Sequence, residues 1–257
     1  MKINFLLFVF LVSTSMASAQ SEKIEAQIFN WKKAEVNKEK TGKKRAFFEG
    51  STTHFDRFIV HATTLKPGLA PHPSHTHADL EELVIVKEGQ LKVTIEGKSS
   101  ILGPGSIALI MPGDEHGFEN AGNTKATYYV LRYHSRSPQN DARGKAEGGS
   151  FVVNWEDTAY TPHDRGGVRH FFDRGTSMCE NFEMHVTTLN VGIQSHPPHT
   201  HVGEEIILMI TGNIEEYIDG KTDNAAIGDI VFLASQVPHA PTNIGKKQCT
   251  YFAFKWY

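Results

Sequence analysis

Two stretches of this chain are near copies of each other, and that duplication constrains the fold more than any local pattern does. His72 to Gly89 reads HPSHTHADLEELVIVKEG, and His196 to Gly212 reads HPPHTHVGEEIILMITG. Self-similarity at a fixed period sets the architecture before propensities are weighed. Trp31 recurs as Trp155 and His75 as His199, an offset of 124. The offset falls to 123 between Gly89 and Gly212, because the second copy is one residue shorter just after its histidine pair. Arg45-Ala-Phe-Phe-Glu49 is echoed by Arg169-His-Phe-Phe-Asp173, and His61-Ala-Thr-Thr-Leu65 by His185-Val-Thr-Thr-Leu189. Of the 14 histidines, ten form five matched pairs: 61/185, 72/196, 75/199, 77/201 and 116/239. Chance does not place them so.

Each copy is about 105 residues, a reasonable length for one domain. The expected division is residues 20–133 and 151–257. His134 to Ser150 lies between them, polar, Gly/Ser-rich and without periodicity, and reads as a linker. Inside a copy the segments Phe58 to Leu65, Leu83 to Lys87, Leu91 to Glu96, Ile107 to Met111 and Ala126 to Tyr133 are rich in β-branched and aromatic residues. Glu96-Gly97-Lys98 and Asp219-Gly220-Lys221 have the composition of hairpin turns. No segment of either copy sustains a helical period. Many short strands at regular spacing predict an all-β sandwich or small barrel, built twice.

The bulk numbers narrow the function classes. With 39% hydrophobic and 21% charged residues the chain has a globular composition, which argues against disorder. A formal net charge of −3 gives no basis for nucleic-acid binding, which shows as a basic surface. The N-terminus stands apart. Lys2, the apolar run Phe5 to Val12 and Ala17-Ser18-Ala19 have the order of a secretory signal peptide, residues 1–19, with the mature chain starting near Gln20. The run is too short to span a bilayer and no second one follows, so a periplasmic or secreted protein is expected. The two cysteines, Cys179 and Cys249, could be bridged in such a compartment, or could be two buried thiols.

The histidines carry the chemistry. In a strand, residues i and i+2 share a face, so His75 and His77 point the same way, as do His199 and His201. Glu82 and Glu205 open the next strand of each copy, and a return strand would set them beside the histidine pair. His116 follows the turn Met111-Pro112-Gly113, and His239 follows Val237-Pro238. Three imidazoles and a carboxylate suit Mn(II), Fe(II), Ni(II), Cu(II) or Zn(II), with open positions for water or substrate. Glu81 is an alternative to Glu82, although spacing to Gly89 favours Glu82. His61 and His185, in strands upstream of the ligand loops, are candidate pocket residues or satisfied interior histidines. His72 and His196 read as rim residues. Arg45 and Arg169 read as structural.

These residues resemble the cupin superfamily, specifically a bicupin of two fused domains. Its first motif appears as Gly68, His75-Thr-His77, Glu82 and Gly89, and again as Gly192, His199-Thr-His201, Glu205 and Gly212. Its second appears as Gly105, Gly113, His116 and Asn120, and again as Gly228, His239 and Asn243. The gap from Gly68 to His75 is one residue longer than usual in both copies. The second motif lacks its proline in both copies and its glycine, replaced by Gln236, in the second. The resemblance implies two tandem double-stranded β-helix (jelly-roll) barrels, each with a divalent transition metal in its mouth, Mn or Fe favoured over Ni, Zn or Cu. It implies a small oxygen-chelating substrate, a carboxylate, enediol or sugar acid. Dioxygenase or oxalate-type chemistry stands slightly ahead of isomerisation or hydrolysis, with a non-catalytic sugar- or metal-binding module as the rival. A monomer or homodimer is expected, since two fused barrels imitate a dimer in one chain.

Overall fold

The computed structural model describes residues 22–257; the segment read as a signal peptide lies outside the described residues. The first repeat forms β1 (Gln27–Phe29), β2 (Glu35–Lys38), β3 (Gly42–Gly50), β4 (Phe55–Leu65), β5 (Glu81–Glu88), β6 (Leu91–Ile95), β7 (Lys98–Leu102), β8 (Ile107–Ile110), β9 (His116–Asn120) and β10 (Ala126–Ser135). A helix α1 (Asp141–Ala146) follows. The second repeat forms β11 (Phe151–Val153), β12 (Tyr160–His163), β13 (Gly166–Arg174), β14 (Phe182–Leu189), β15 (Glu204–Thr211), β16 (Asn213–Ile218), β17 (Lys221–Ala226), β18 (Ile230–Leu233), β19 (His239–Asn243) and β20 (Cys249–Trp256). Each repeat pairs a large sheet with a three-stranded one. The orders are β11-β8-β5-β10-β4-β3-β2 with β7-β6-β9, and β1-β18-β15-β20-β14-β13-β12 with β17-β16-β19. This is the expected all-β architecture of two jelly-roll barrels.

The first strand of each repeat crosses to the other. β1 pairs with β18 and β11 pairs with β8, which covers an edge that would otherwise be open. The exchange explains the repeated Asn-Trp. Trp155 lies over Gly105 and Trp31 over Gly228, and a Cβ at Gly105 would come within 2.3 Å of the indole. Arg45 and Arg169 stack on these indoles at 4.4 and 4.7 Å and donate to the backbone carbonyls of Trp31 and Thr158. They are structural, as expected.

The alternation of β5 sorts side chains between two cores. Val84 and Val86 enter the interior of the first barrel, with Leu91, Val93 and Phe118. Leu83 and Ile85 face the opposite way, into a larger core shared by both repeats, with Phe58, Tyr133, Phe232 and Trp256. Burial on both faces accounts for the unbroken apolar run of β5 and β15. Phe55 of one repeat stacks on Trp256 of the other at 5.2 Å. Each such buried ring contributes about 1.5–3 kcal/mol. Cys179 sits in the shared core and Cys249 in the second barrel, both free thiols, so the bridge is not formed. No helix among the described residues is long and apolar enough to cross a membrane.

Candidate metal centre

In the first barrel the loop ahead of β5 is stapled to β9. His75 and His116 exchange backbone hydrogen bonds at 3.0 and 2.9 Å, and Gly113 donates its N–H to His77 at 2.7 Å. The staple sets His75, His77 and His116 around Glu82, the barrel-facing residue at the start of β5. The four donor atoms lie within 4.8 Å of one another. His75 Nε2 faces His77 Nε2 at 3.0 Å, and Glu82 Oε2 stands 3.4 Å from His77 Nε2 and 3.7 Å from His116 Nε2.

Glu81 turns the other way. Its Oε2 accepts from the Tyr133 hydroxyl at 2.8 Å and its Oε1 from the Met178 N–H at 2.8 Å, in the core shared by the repeats. Adjacent residues of a strand face opposite sides, so only one of the two acids can reach the histidines.

The second barrel repeats the donors in a looser form. The backbone exchange between His199 and His239 lengthens to 3.4 and 3.2 Å. His201, with one residue fewer before the acid, comes to 2.9 Å from Glu205, and His239 Nε2 to 3.5 Å. His199 does not join them. Its Nδ1 leans on His196 Nδ1 at 2.9 Å, so the donors fall into two overlapping groups that share His239. His196, expected at the rim, is therefore part of this cluster. Gln236 stands where the first copy has Gly113 and adopts the same left-handed backbone, φ 63° against 88°, so the motif's turn survives loss of its glycine. A non-glycine residue there costs about 1–2 kcal/mol.

The donor chemistry fits a divalent ion. His116, His201 and His239 direct Nδ1 to the carbonyls of Asp114, Gly203 and Val237 at 3.0, 2.7 and 2.9 Å. A carbonyl only accepts, so Nδ1 carries a proton; at His116 and His239 Nε2 is left for a cation, while at His201 Nε2 meets Glu205 Oε2 at 2.9 Å. Glu82 Oε1, His116 Nε2 and His239 Nε2 are buried without a hydrogen-bond partner among the described residues. Burial, then the neighbouring His116, His72 and His77, push the His75 imidazole down to about 4, keeping it neutral. Against the effect of burial, His116, His77 and Arg132 hold the Glu82 carboxyl well below the usual carboxylate range. His201 and His239 likewise hold Glu205 low, also against burial.

His61 is buried in β4, its Nδ1 without a hydrogen-bond partner among the described residues, and burial together with Lys44 and Arg132 pushes it down to about 3. His185 lines the mouth of the second barrel with His196, His199, His201 and Glu205, around a recess of about 170 Å³. That is below the roughly 300–1,000 Å³ of pockets for drug-sized ligands and suits a small molecule.

One neighbour escaped the motifs. Arg132 on β10 donates its Nε to Glu82 Oε2 at 2.7 Å. The repeat places Lys255 at the equivalent position, but Lys255 pairs with Glu183 at 2.8 Å. The equivalent of Glu183 is Ile59, which cannot hold a cation. The mismatched pair, Ile59/Glu183, was the only trace of this in the sequence.

The comparisons with known proteins agree with this geometry. The cupin domain family matches residues 42–132 and 185–255. No curated protein matches the sequence at a significant level. AerE from Microcystis aeruginosa superposes with a TM-score of 0.68 at 16% identity, over 87% of this chain and 97% of that one. YlbA from E. coli superposes at 0.68 and 16%, over 93% and 95%. A Lactobacillus farciminis oxalate decarboxylase, solved as a formate complex, superposes at 0.68 and 15%, over 90% and 86%. At such identities the likeness is one of fold.

Proposed function

The chain belongs to the cupin family, and on that premise we propose an exported, divalent-metal-dependent enzyme that takes a small oxygen-chelating substrate in its barrel mouths. One observation carries the reading. His75, His77, Glu82 and His116 converge within 4.8 Å, with orphaned lone pairs, in a barrel that needs none of them for its core. In the second barrel His201, Glu205 and His239 would hold the ion, with His199 joining them on leaving His196, one ion per barrel. Three imidazoles and one carboxylate suit Mn, Fe, Ni, Zn or Cu alike, and the resemblance to cupins puts Mn or Fe first. Such an ion supplies Lewis-acid stabilisation of negative charge on a bound oxygen.

The protein's own part is recognition and shielding. The Arg132 Nε is committed to Glu82, while its two terminal amino groups have no hydrogen-bond partner among the described residues. A guanidinium so placed suits a carboxylate. His185 lines the approach to the second centre, and His61 lies buried in β4 of the first barrel; each is a neutral imidazole able to accept or donate one hydrogen bond. A small carboxylate therefore leads over an enediol or sugar acid, and oxalate-type or dioxygenase chemistry leads over isomerisation. Oxalate decarboxylases among the structural relatives act, by name, on such a molecule. The order Lys2, Phe5 to Val12, Ala17-Ser18-Ala19 supports export.

The test is turnover by purified, Mn- or Fe-loaded protein. CO₂ release and O₂ uptake are followed with oxalate, other small carboxylates and catechols. Turnover of a carboxylate, lost in Arg132→Met, is expected. Binding without turnover across the panel would make the protein a binding module.

A further inference from the structure

The two barrels differ in charge. Ile214, Glu216 and Ile218 alternate along β16 and face the interior of the second barrel, and Ile214 and Ile218 belong to its apolar core with Tyr251. The equivalent of Glu216 in the first repeat is Val93, an ordinary member of that barrel's core. Glu216 is fully buried, and neither carboxyl oxygen has a hydrogen-bond partner among the described residues. A buried, unpartnered carboxyl is costly, so a chain that keeps one in an apolar row keeps it for a ligand. Its strand pairs with β19 so that Ile218 lies opposite His239 and Glu216 opposite Pro241, which lines the mouth recess. Glu216 thus sits one layer beneath His201, Glu205 and His239.

The first barrel has the opposite balance. Its one carboxylate, Glu82, is already met by the Arg132 guanidinium at 2.7 Å. Lys44 adds a further positive charge near His61. In the second barrel the equivalent cation, Lys255, is taken by Glu183 at 2.8 Å, and among the described residues Glu205 pairs with imidazoles alone. A divalent ion would meet a neutralised carboxylate in one barrel and two carboxylates in the other.

We propose that the barrels are unequal cation sites: the second binds a divalent metal ion at least tenfold more tightly than the first, because Glu216 adds a second negative charge beneath its donors while Arg132 cancels that of Glu82. The inference rests on the reading of both clusters as metal sites. The tighter donor geometry of the first barrel works against it, but the second needs only an exposed imidazole, His199, to swing from His196, whereas Arg132 is a full charge at the ligand oxygen. Burial, then the Glu205 charge, push the Glu216 carboxyl well above the usual carboxylate range. A cation held by the donors above it opposes that shift, so binding to the second barrel favours the charged carboxylate and expels any proton it holds.

The test is calorimetric titration of the chelator-stripped mature chain with Mn(II), in two buffers of different ionisation enthalpy. Expected are one tight and one weaker equivalent, at least tenfold apart, with the tight class lost in His201→Ala and retained in His75→Ala. Glu216→Val, which installs the residue of the first repeat, should weaken the tight class at least tenfold, remove the proton released with it and leave the weak class unchanged. Glu216→Gln should do the same without altering shape, which covers a folding defect in the valine variant. Arg132→Met should tighten the weak class. Two equal classes, a tight class that resides in the first barrel, or a tight class indifferent to both Glu216 variants would overturn the proposal. Absence of binding in either barrel would instead remove the metal reading itself, and the proposal with it.

Discussion

Glu81 of the first repeat accepts the backbone N–H of Met178 in the second at 2.8 Å, and the relationship is reciprocal. Glu204, the equivalent of Glu81, accepts from the Thr52 hydroxyl at 2.6 Å and from the Thr53 N–H at 2.8 Å. Each repeat thus clamps the loop ahead of the other's long strand with the acid beside its ligand acid. Replacing Glu81 with alanine leaves the Tyr133 hydroxyl without its buried acceptor, at about 1–3 kcal/mol, and leaves the Met178 N–H only its longer bond to Thr176 Oγ1 at 3.3 Å. Urea denaturation should show a loss of about 2–5 kcal/mol for Glu81→Ala and a similar loss for Glu204→Ala. Bound metal should be unchanged, since neither side chain faces a donor cluster. A loss of metal with stability intact would exchange the roles of Glu81 and Glu82.

The asparagine that closes each second motif is a structural residue. Asn120 is fully buried; it donates to the carbonyls of Leu65 and Thr124 at 3.0 and 2.8 Å and accepts from Gly122 at 3.0 Å. Asn243 does the same with Leu189, Lys247 and Gly245. Asn120→Ala or Asn243→Ala should lower stability by about 2–4 kcal/mol, read from thermal or urea unfolding, with the donor clusters still competent to bind metal.

Burial depresses the His61 imidazole to about 3 from its ordinary 6.5. Between these values the unfolded chain takes up a proton that the folded chain refuses. Stability therefore falls as pH drops from 6.5 toward 3, with a slope of up to about 1.4 kcal/mol per pH unit from this residue alone. In chelator-stripped protein, His61→Leu should flatten the acid limb of the stability profile by that amount. An unchanged limb would mean that His61 charges without penalty in the fold.

Metal removal should destabilise the chain by mass action. At free metal a hundredfold above its dissociation constant, a site adds about 2.7 kcal/mol, which for a chain of this size moves the melting temperature by about 5–10 °C. Scanning calorimetry with and without chelator should show that shift. The double variant His75→Ala, His201→Ala should melt at one temperature under both conditions.

Much of this was legible beforehand, for identifiable reasons. The donors could be read because His-Thr-His puts two imidazoles on one face and because every donor recurs at a constant offset. The choice between Glu81 and Glu82 could not be read from spacing alone, since both open the same strand and the discriminating partners, Tyr133 and Met178, lie 52 and 97 residues away. The exchange of β1 and β11 left no local signal, because a three-residue strand has the same pattern whichever edge it covers. Helix α1 was missed because six residues hold no period; its capping residue, Asn140, which accepts from the Arg143 N–H at 3.0 Å, was the available clue. Arg132 and Glu216 were hidden for a different reason. They lie in strands outside the motifs, and they show only as breaks in the repeat, at Ile59/Glu183 and Val93/Glu216.

The most direct check is elemental analysis of the chain from Gln20 onward, purified without added metal or chelator. The account expects one to two equivalents of a divalent transition metal per chain, Mn or Fe foremost, falling to a trace in the double variant His75→Ala, His201→Ala with its circular dichroism unchanged. A folded wild-type chain with no transition metal, or a double variant that keeps its full complement, would contradict it.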